Sequence, residues 1–516
     1  MNQNKTATSE YKGTNQLLIG IVLSVITFTL FAQTTLNIAP TMRADLGINM
    51  TSSNLAVSIT SLFSGMFIVV MGGISDRLGR VRIIRVGLLL STIGSALIAL
   101  SPTGTAAFLI PGRIIQGLSA ACIMPSTLAL IKTYYQGPDR QRAISYYSMG
   151  AWGGSGLTSL FGGFLATTIG WRWIFWISIA VAILSFLFIQ GTPESRPTSA
   201  KSHQGYDIPG ILIFILGMVS LNLLIGQGAS LGWLSPAVLG LAAVAVIALG
   251  TFVVFERKVA SPFIDFALFR NQMYLGATMS NFLLNSAAGT LMVTLSLVQI
   301  GAGMSAFEAG LLTIGYLIAV LITIRIGERL LQKRGPRLPM VLGSAITGTG
   351  IFLLTSTFLL ASQYRIVATI AFTLFGAGLG FYATPSTDAA LSTVPADQAG
   401  SAAGIYKMSS SLGAALGIAI SAALFTGLSN GQVVFAEGLF LGRVDNIAVR
   451  FAAAIALLFN LIAVLLAITS ILVTIPPSGK PDAPGGSDAA SRKGSASRQQ
   501  AVQASSNRKK PVKKTK

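Results

Sequence analysis

The sequence predicts an all-α membrane protein that crosses the bilayer many times. Only 10% of its 516 residues are charged, 52% are hydrophobic, and its mean hydropathy is +0.70. A soluble chain carries about a quarter charged residues. Apolar runs recur from Leu17 to Thr474, and many approach the roughly 20 residues with which a helix crosses a hydrocarbon core of roughly 30 Å.

The apolar runs predict fourteen spans in a six, two and six arrangement, because polar linkers flank the middle pair. The predicted spans are 17–40, 53–73, 83–101, 106–132, 143–168, 173–190, 209–227, 235–254, 273–297, 307–326, 339–360, 365–391, 400–427 and 450–474. We therefore expect these segments: a short N-terminal stretch (1–16), a six-helix half (17–190), linkers with two inserted helices (191–271), a second six-helix half (272–475) and a basic tail (476–516).

The distribution of basic residues predicts that both termini are cytoplasmic. With the N-terminus inside, thirty Lys and Arg residues fall on the inner side and six on the outer side. Cytoplasmic loops of membrane proteins carry such an excess. Ten of the thirty lie in the tail, which is rich in Pro, Gly and Ser and predicts a disordered extension, with attraction to anionic lipid as the alternative. On the outer side, the loop at 428–449 predicts a hairpin or an interfacial helix.

Composition argues against several other classes of protein. The net charge of +20 lies mainly in short loops and the tail, which is not the pattern of a nucleic-acid groove. The chain has one cysteine, Cys122, and one histidine, His203, so we expect no disulfide, no metal site and no hydrolytic triad. No Gly-x-x-x-x-Gly-Lys-Ser/Thr nucleotide motif occurs either. We expect neither an enzyme nor an ATP-driven pump.

A charged stretch, Gly72–Arg85, separates the second and third predicted spans. It concentrates Asp76 and four arginines in a chain where charge is scarce. The sequence predicts a tight cytoplasmic turn there, and a weaker basic echo at Gly327–Gly335 falls at the corresponding place in the second half. Paired halves of this kind are typical of secondary transporters, whose halves rock around a central site.

Several motifs resemble those of the major facilitator superfamily. Gly72–Arg82 is similar to its Asp-Arg-x-Gly-Arg loop signature, and Arg113–Ala121 to its Arg-x-x-Gln-Gly motif. Gly154–Gly163 resembles the antiporter motif, and Trp171–Phe175 the element that usually follows it. Pro262–Arg270 resembles a segment of the fourteen-helix drug:proton antiporters.

Within that group, four further stretches resemble the NorB/NorC-type multidrug (quinolone) efflux pumps: Phe31–Gln33, Phe63–Phe67, Ala121–Pro125 and Tyr382–Asp388. The resemblance implies a gate at the turn, formed by Gly72, Asp76, Arg77, Gly79 and Arg80. Two departures stand out. Thr158-Ser159 replaces the usual Gly-Pro of the antiporter motif, and the stretch Ala32–Asn37 near the end of the first span holds no acid, whereas many relatives carry an aspartate there.

Proton coupling needs a side chain that titrates inside the membrane. Most of the 16 Asp and Glu residues fall in loops, tails or span ends, which leaves Asp76 in the turn and Asp388 inside the twelfth span. A charge at membrane depth costs roughly 2.5–3.5 kcal/mol, so such a residue is seldom idle. We expect Asp388 to carry the proton. The alternative is a carboxylate at the helix end, anchored by Ser386 or Thr387 or paired with Lys407.

Arg113, in the fourth span, is implied by the resemblance to take part in proton transfer; packing against carbonyl groups is the alternative. Lys407 either pairs with Asp388 or competes with a cationic drug. Other polar and aromatic residues are candidates for a substrate cavity, with helix packing as the equal alternative for each. The candidates are Gln33, Asn37, Gln116, Tyr146, Trp152, Asn281, Asn285, Tyr316, Tyr382, Tyr406 and Lys407.

The sequence therefore predicts a monomeric fourteen-helix exporter of the bacterial cytoplasmic membrane. The resemblance implies exchange of protons for hydrophobic or amphipathic drugs such as fluoroquinolones, with the proton gradient as the energy source and no cofactor. The alternative is an exporter of one defined substrate, such as tetracycline, a metabolite or a lipid. A pore without coupling is less compatible with the two related halves.

Overall fold

The computed structural model describes residues 11–195, 207–259, 262, 264, 266–304, 306–359, 361–429 and 446–477. The basic tail from 478, residues 430–445 of the predicted outer loop and residues 196–206 of the first linker lie outside this part of the chain.

The described residues form eighteen α-helices. In chain order their bounds are α1 Asn15–Ile26, α2 Gln33–Leu46, α3 Met50–Leu78, α4 Arg80–Ala99, α5 Leu109–Tyr134, α6 Gly137–Ser148, α7 Gly154–Thr168, α8 Arg172–Ile189, α9 Ile208–Leu231, α10 Pro236–Glu256, α11 Gln272–Ser286, α12 Gly289–Ala302, α13 Ala306–Leu311, α14 Ile314–Arg334, α15 Arg337–Leu354, α16 Ala361–Ser392, α17 Ala399–Ser429 and α18 Ile447–Thr474.

The helices account for all fourteen predicted spans. Among the described residues, thirteen helices are long and apolar enough to cross a membrane. The remaining predicted span, 143–168, is also helical, from Gly137 through α6 and α7 to Thr168. Its sequence is rich in Gly, Ser and Tyr, which makes this helix less apolar than the others.

Within the described residues, four spans are interrupted rather than regular. A π-helical turn, Thr27–Ala32, joins α1 to α2, and another, Met149–Gly153, joins α6 to α7. The Thr29 hydroxyl donates to the Gly150 carbonyl at 3.0 Å, so the two irregular turns are tied to each other. The ninth span is divided between α11 and α12, and the tenth between α13 and α14. Irregular turns inside helices frequently mark functional sites.

The two six-helix halves repeat one pattern. Pro125-Ser126-Thr127 lies inside α5, and Pro385-Ser386-Thr387 lies at the corresponding place inside α16. Glu328, near the end of α14, corresponds to Asp76 near the end of α3. Between the halves, the inserted helix α10 packs on α9, and α9 packs on α3 and α17.

At the far end of the first half, the Trp171–Phe175 element ties the loops together. The Trp171 indole donates to Asp45 at 3.0 Å, and Arg172 forms an ion pair with the same carboxylate. The Arg172 and Trp171 donors lower the pKa of Asp45 from its ordinary value. A second Arg172 nitrogen donates to the Ser101 carbonyl at 3.1 Å. The fold therefore explains the Trp171–Phe175 motif: its first two residues hold the loops together at this end of the first half.

Candidate functional site

The charged stretch Gly72–Arg85 forms the turn between α3 and α4. Gly79 separates the two helices with a φ of +114°, which an L side chain rarely adopts. We call this end of the bundle the turn side. Arg77 is half-buried there, whereas Asp76 and Arg80 are 6% and 1% exposed. Two buried charges need partners. Asp76 and Arg80 pair with each other, and both also contact backbone groups at the start of the second half's α17.

The Asp76 carboxylate binds the first turn of α17. It accepts hydrogen bonds from the backbone N–H groups of Gly400 and Ser401, both at 2.9 Å. A helix N-terminus carries a partial positive charge, which attracts the carboxylate, and hydrogen bonds to an ionised group are stronger than neutral ones. Both effects favour this contact. The helices approach closely because glycines meet: a Cβ added at Gly72 would lie 2.4 Å from the Gly400 carbonyl oxygen.

Arg80 holds the same junction from its other side. Its guanidinium forms an ion pair with Asp76 at 2.7 Å and donates to the Ala396 carbonyl, just before α17. It also donates to Thr133, at the end of α5, and to Ser195, in the linker that follows the first half, at 3.2 Å. Arg80 therefore ties the turn, the end of α5 and the start of α17 together.

Lys132 binds the end of α16. Its ammonium group donates to the Leu391 carbonyl and, at 3.5 Å, to the Ser392 carbonyl. Both oxygens belong to the last turn of that helix, where the helix dipole favours a cation. Lys132 in the first half thus complements a helix C-terminus in the second half.

Asp388 forms the most clearly paired charge between the halves. Its carboxylate accepts from Arg140 at 3.0 Å and from Gln141 at 3.2 Å, both on α6. The side chains of Arg140 and Asp388 are 19% and 7% exposed. Asp388 lies four residues before the end of α16, so it is near the turn side rather than at mid-span. Lys407 instead lies over the Tyr147 ring, 5.0 Å from its centroid.

These contacts form one structure, which we call the latch: Asp76, Arg80, Lys132, Arg140 and Asp388 with their backbone partners. The latch joins α3, α4, α5 and α6 of the first half to α16 and α17 of the second. A related cluster lies beside it, where Arg325 pairs with Glu328 and lies 4.7 Å from the centroid of the Tyr146 ring on α6.

Arg113 is buried deep in the first half. Its guanidinium donates to the carbonyls of Ala32 and Ala56 at 2.7 and 2.8 Å and to the Gln116 amide oxygen at 2.7 Å. Gln116 in turn donates to Ser95 at 3.2 Å. Ala32 ends the first π-helical turn. Arg113 therefore connects α5 to α3 and to the irregular part of the first span.

The structure brings four of the cavity candidates together in the second half. Asn281 donates to the Tyr406 carbonyl at 3.0 Å, and Asn285 donates to Asn281. The Tyr406 hydroxyl lies 2.9 Å from Ser386 and 3.3 Å from Thr387, and the Tyr382 hydroxyl lies 2.7 Å from Ser280. Hydroxyl groups thus reach the residue that precedes Asp388.

The other cavity candidates lie in separate contacts. Ser155 donates to the Gln33 side chain at 3.0 Å, and the Asn37 side chain donates to Thr158 at 3.2 Å, so these two residues join α2 to α7. Trp152 is half-buried in the second π-helical turn. Tyr316 packs near Phe375, with ring centroids 6.1 Å apart.

Sequence reasoning missed Lys132, Arg140 and Gln141 as members of the site, because it treated the two basic residues only as markers of topology. One signal was present. The repeated Pro-Ser-Thr segments align the end of α5 with the end of α16, and chemically complementary groups, Lys132 and Asp388, follow the two prolines. Glu328 was likewise treated only as a span end.

Comparisons with known proteins agree with this architecture. The sequence profile of the Major Facilitator Superfamily matches residues 17–418 and 273–512. The quinolone resistance protein NorB of Staphylococcus aureus strain MRSA252 is 49% identical over 426 residues, which cover 83% of this chain and 91% of NorB. The strain JH9 protein is 48% identical over the same shares.

A solved structure shares the fold. The proton:xylose symporter XylE, bound to 6-bromo-6-deoxy-D-glucose, superimposes with a TM-score of 0.60 at 16% identity, over 90% of this chain and 96% of that one. The profile, the relatives and the paired six-helix halves agree. The chain belongs to the Major Facilitator Superfamily and is a membrane transporter.

Proposed function

We propose that this protein exports hydrophobic and amphipathic drugs, quinolones included, in exchange for protons. The substrate class rests on the 49% identity to proteins named for quinolone resistance. The exchange mechanism rests on the latch, above all on the ion pair between Asp388 and Arg140. In this proposal the protein works as a monomer, residues 17–190 and 272–475 are the moving halves, and 191–271 supply the inserted helices.

The turn side is the cytoplasmic side in this proposal, and both termini lie there. The excess of Lys and Arg on that side supports this orientation. With the latch formed, the halves are joined at their cytoplasmic ends. The gate on the cytoplasmic side then consists of Gly72, Asp76, Arg77, Gly79 and Arg80.

Asp388 couples the gate to the proton. When its carboxylate is ionised, it holds Arg140 and Gln141 and the halves stay joined. Protonation removes the negative charge of this carboxylate and leaves Arg140 without its counter-ion. The cytoplasmic side then opens. The proton then leaves to the cytoplasm and the pair re-forms. An outer proton would reach Asp388 past the hydroxyls of Ser386 and Thr387, which precede it on α16, and that of Tyr406, which contacts both.

Arg113 and the polar residues of the spans serve the substrate path. A buried guanidinium held by carbonyl groups responds to movement of α3 and of the π-helical turn, so Arg113 can transmit a change from the first span to the latch. The proposed substrate contacts are polar and aromatic side chains of the spans: Asn281, Asn285, Tyr382 and Tyr406, with Gln33, Asn37, Gln116, Tyr146, Trp152, Tyr316 and Lys407.

Drug accumulation in cells tests the proposal. Cells that express the wild-type chain should accumulate less of a fluoroquinolone than cells with empty vector, and an uncoupler should abolish the difference. Asp388→Asn should abolish it as well, at equal membrane abundance. Ser392→Ala is the matched control on the same turn, since the Ser392 contribution to the latch is its backbone carbonyl.

Two results would contradict the proposal. Export that persists with the uncoupler would exclude proton exchange. Export of tetracycline or of one metabolite, with no effect on quinolones, would instead support the narrow-substrate alternative.

A further inference from the structure

A crevice of about 460 Å³ opens between α4 and α8 on the outside of the first half. Its walls are apolar and include Val86, Leu89, Ile183 and Phe186, which are between 36% and 59% exposed. Two arginines, Arg82 and Arg85, lie at its turn-side end. The volume falls in the usual range of ligand sites, about 300–1,000 Å³.

The length of the crevice corresponds to one leaflet of a bilayer. Along α4 its lining extends from Arg82 to Thr92, which is about 15 Å at 1.5 Å per residue. The hydrocarbon core is roughly 30 Å thick, so a chain in the crevice reaches about its middle. The arginines, in the first turns of α4, then lie at the level of the lipid headgroups.

The two arginines at the rim differ in how they are held. One terminal nitrogen of Arg85 donates a hydrogen bond to the Gln190 carbonyl at 2.7 Å, and the Arg85 side chain is half-buried. The Arg82 side chain is exposed. Glu194 lies nearby, but its oxygens accept from the backbone N–H groups of Val81, Arg82 and Ser195. With two guanidinium groups and one carboxylate, the rim carries a net positive charge, and the carboxylate faces the backbone N–H groups that start α4.

We propose that this crevice binds an anionic phospholipid, with the headgroup phosphate on Arg82 and Arg85 and one acyl chain between α4 and α8. A soluble phosphate would leave the apolar walls uncovered, and a cationic drug would be repelled by the two guanidinium groups. A zwitterionic lipid brings its own cation to a rim that is already basic. Arg82 lies two residues from Arg80 of the latch, so the bound lipid touches the element that carries the gate.

Native mass spectrometry of the purified full chain tests this site. Phosphatidylglycerol and phosphatidylcholine with identical acyl chains are titrated against the wild type, Arg82→Gln, Arg85→Gln and the double variant. Each arginine near a membrane surface contributes about fivefold in preference for anionic lipid, so the double variant should bind phosphatidylglycerol about 25-fold more weakly. Leu89→Trp, which fills the crevice from an exposed position, should weaken both lipids.

Arg337→Gln is the matched control. Arg337 begins α15 and donates to the Leu472 carbonyl in the last turn of α18 at 2.9 Å, as Arg85 does at the end of α8. It should bind phosphatidylglycerol like the wild type.

Four outcomes would overturn the proposal: equal wild-type affinity for the two lipids, unchanged affinity in the double variant, an equal loss in Arg337→Gln, or binding of glycerol phosphate as tight as that of the lipid. The measurement needs neither drug nor gradient, so its result is independent of the proposed transport function.

Discussion

Replacing Asp388 by Asn removes one charge from the latch and leaves its shape intact. The asparagine oxygen can still accept from Gln141, but Arg140 loses a carboxylate at 3.0 Å. Both side chains are largely buried, so solvent compensates for this loss only in part. We therefore expect the closed turn side to become less stable relative to the open one.

The size of the effect follows from the hydrogen bonds to charged groups. Each contributes about 1.5–3 kcal/mol net, which corresponds to a shift of about 10- to 150-fold in the ratio of closed to open molecules. Arg140→Gln should produce a similar shift. If the two residues act only through each other, the double variant should resemble either single variant, with a coupling energy of about 1.5–3 kcal/mol.

Distances between labels on the two halves report this ratio. Gln136 and Lys333 are exposed on the turn side, one in each half. Both are changed to Cys in a Cys122→Ser background, and the label distance is measured in lipid nanodiscs for the wild type, Asp388→Asn, Arg140→Gln and the double variant. The wild type should be mainly closed, because the Asp388 carboxylate holds Arg140.

Asp388→Asn should shift the population towards the open state. A variant that stays as closed as the wild type would refute the assignment of Asp388 as the residue that holds the turn side closed. A coupling energy near zero would show that Arg140 is not its partner.

Three further predictions concern the rest of the site. Gly72→Ala should open the turn side and reduce drug efflux, because the added Cβ would lie 2.4 Å from the Gly400 carbonyl oxygen. Overpacking of this kind costs about 1–3 kcal/mol. The control is Gly163→Ala, whose added Cβ meets nothing within 4 Å, and it should leave efflux unchanged. Asp76→Asn should cost the closed state about 3–5 kcal/mol, because Arg80 is buried without its counter-ion, and the same label pair measures that loss. Arg113→Lys should lower efflux at least tenfold at normal membrane abundance. An ammonium group lacks the planar guanidinium fork that reaches two carbonyls and Gln116 together. Efflux at the wild-type rate would show that the positive charge alone suffices.

Hydrophobicity was sufficient to predict the spans, because each transmembrane helix needs a long apolar run whatever it packs against. It could not predict the π-helical turns at Thr27–Ala32 and Met149–Gly153. A turn with one extra residue has nearly the same composition as a regular one, and its position depends on the Thr29 contact with Gly150 across two helices.

The site was only partly predictable. The motif at Asp76 and Arg80 predicted a tight charged turn, and the structure shows both residues in contacts that reach α17 of the second half. The partner of Asp388 was not predicted, because Lys407 is close in sequence whereas Arg140 is 248 residues away. Such a contact depends on how two rigid halves meet, and no local pattern records that.

The central claim is that drug leaves against entry of protons, and proteoliposomes test it most directly. Purified protein is reconstituted with a fluoroquinolone and a pH-sensitive dye, and an inward or outward pH gradient is imposed. We predict drug movement opposite to the proton gradient, with matching proton flux that Asp388→Asn abolishes while the label pair still reports folded protein. Drug movement at the same rate without a gradient, or proton flux that drug does not change, would contradict the account.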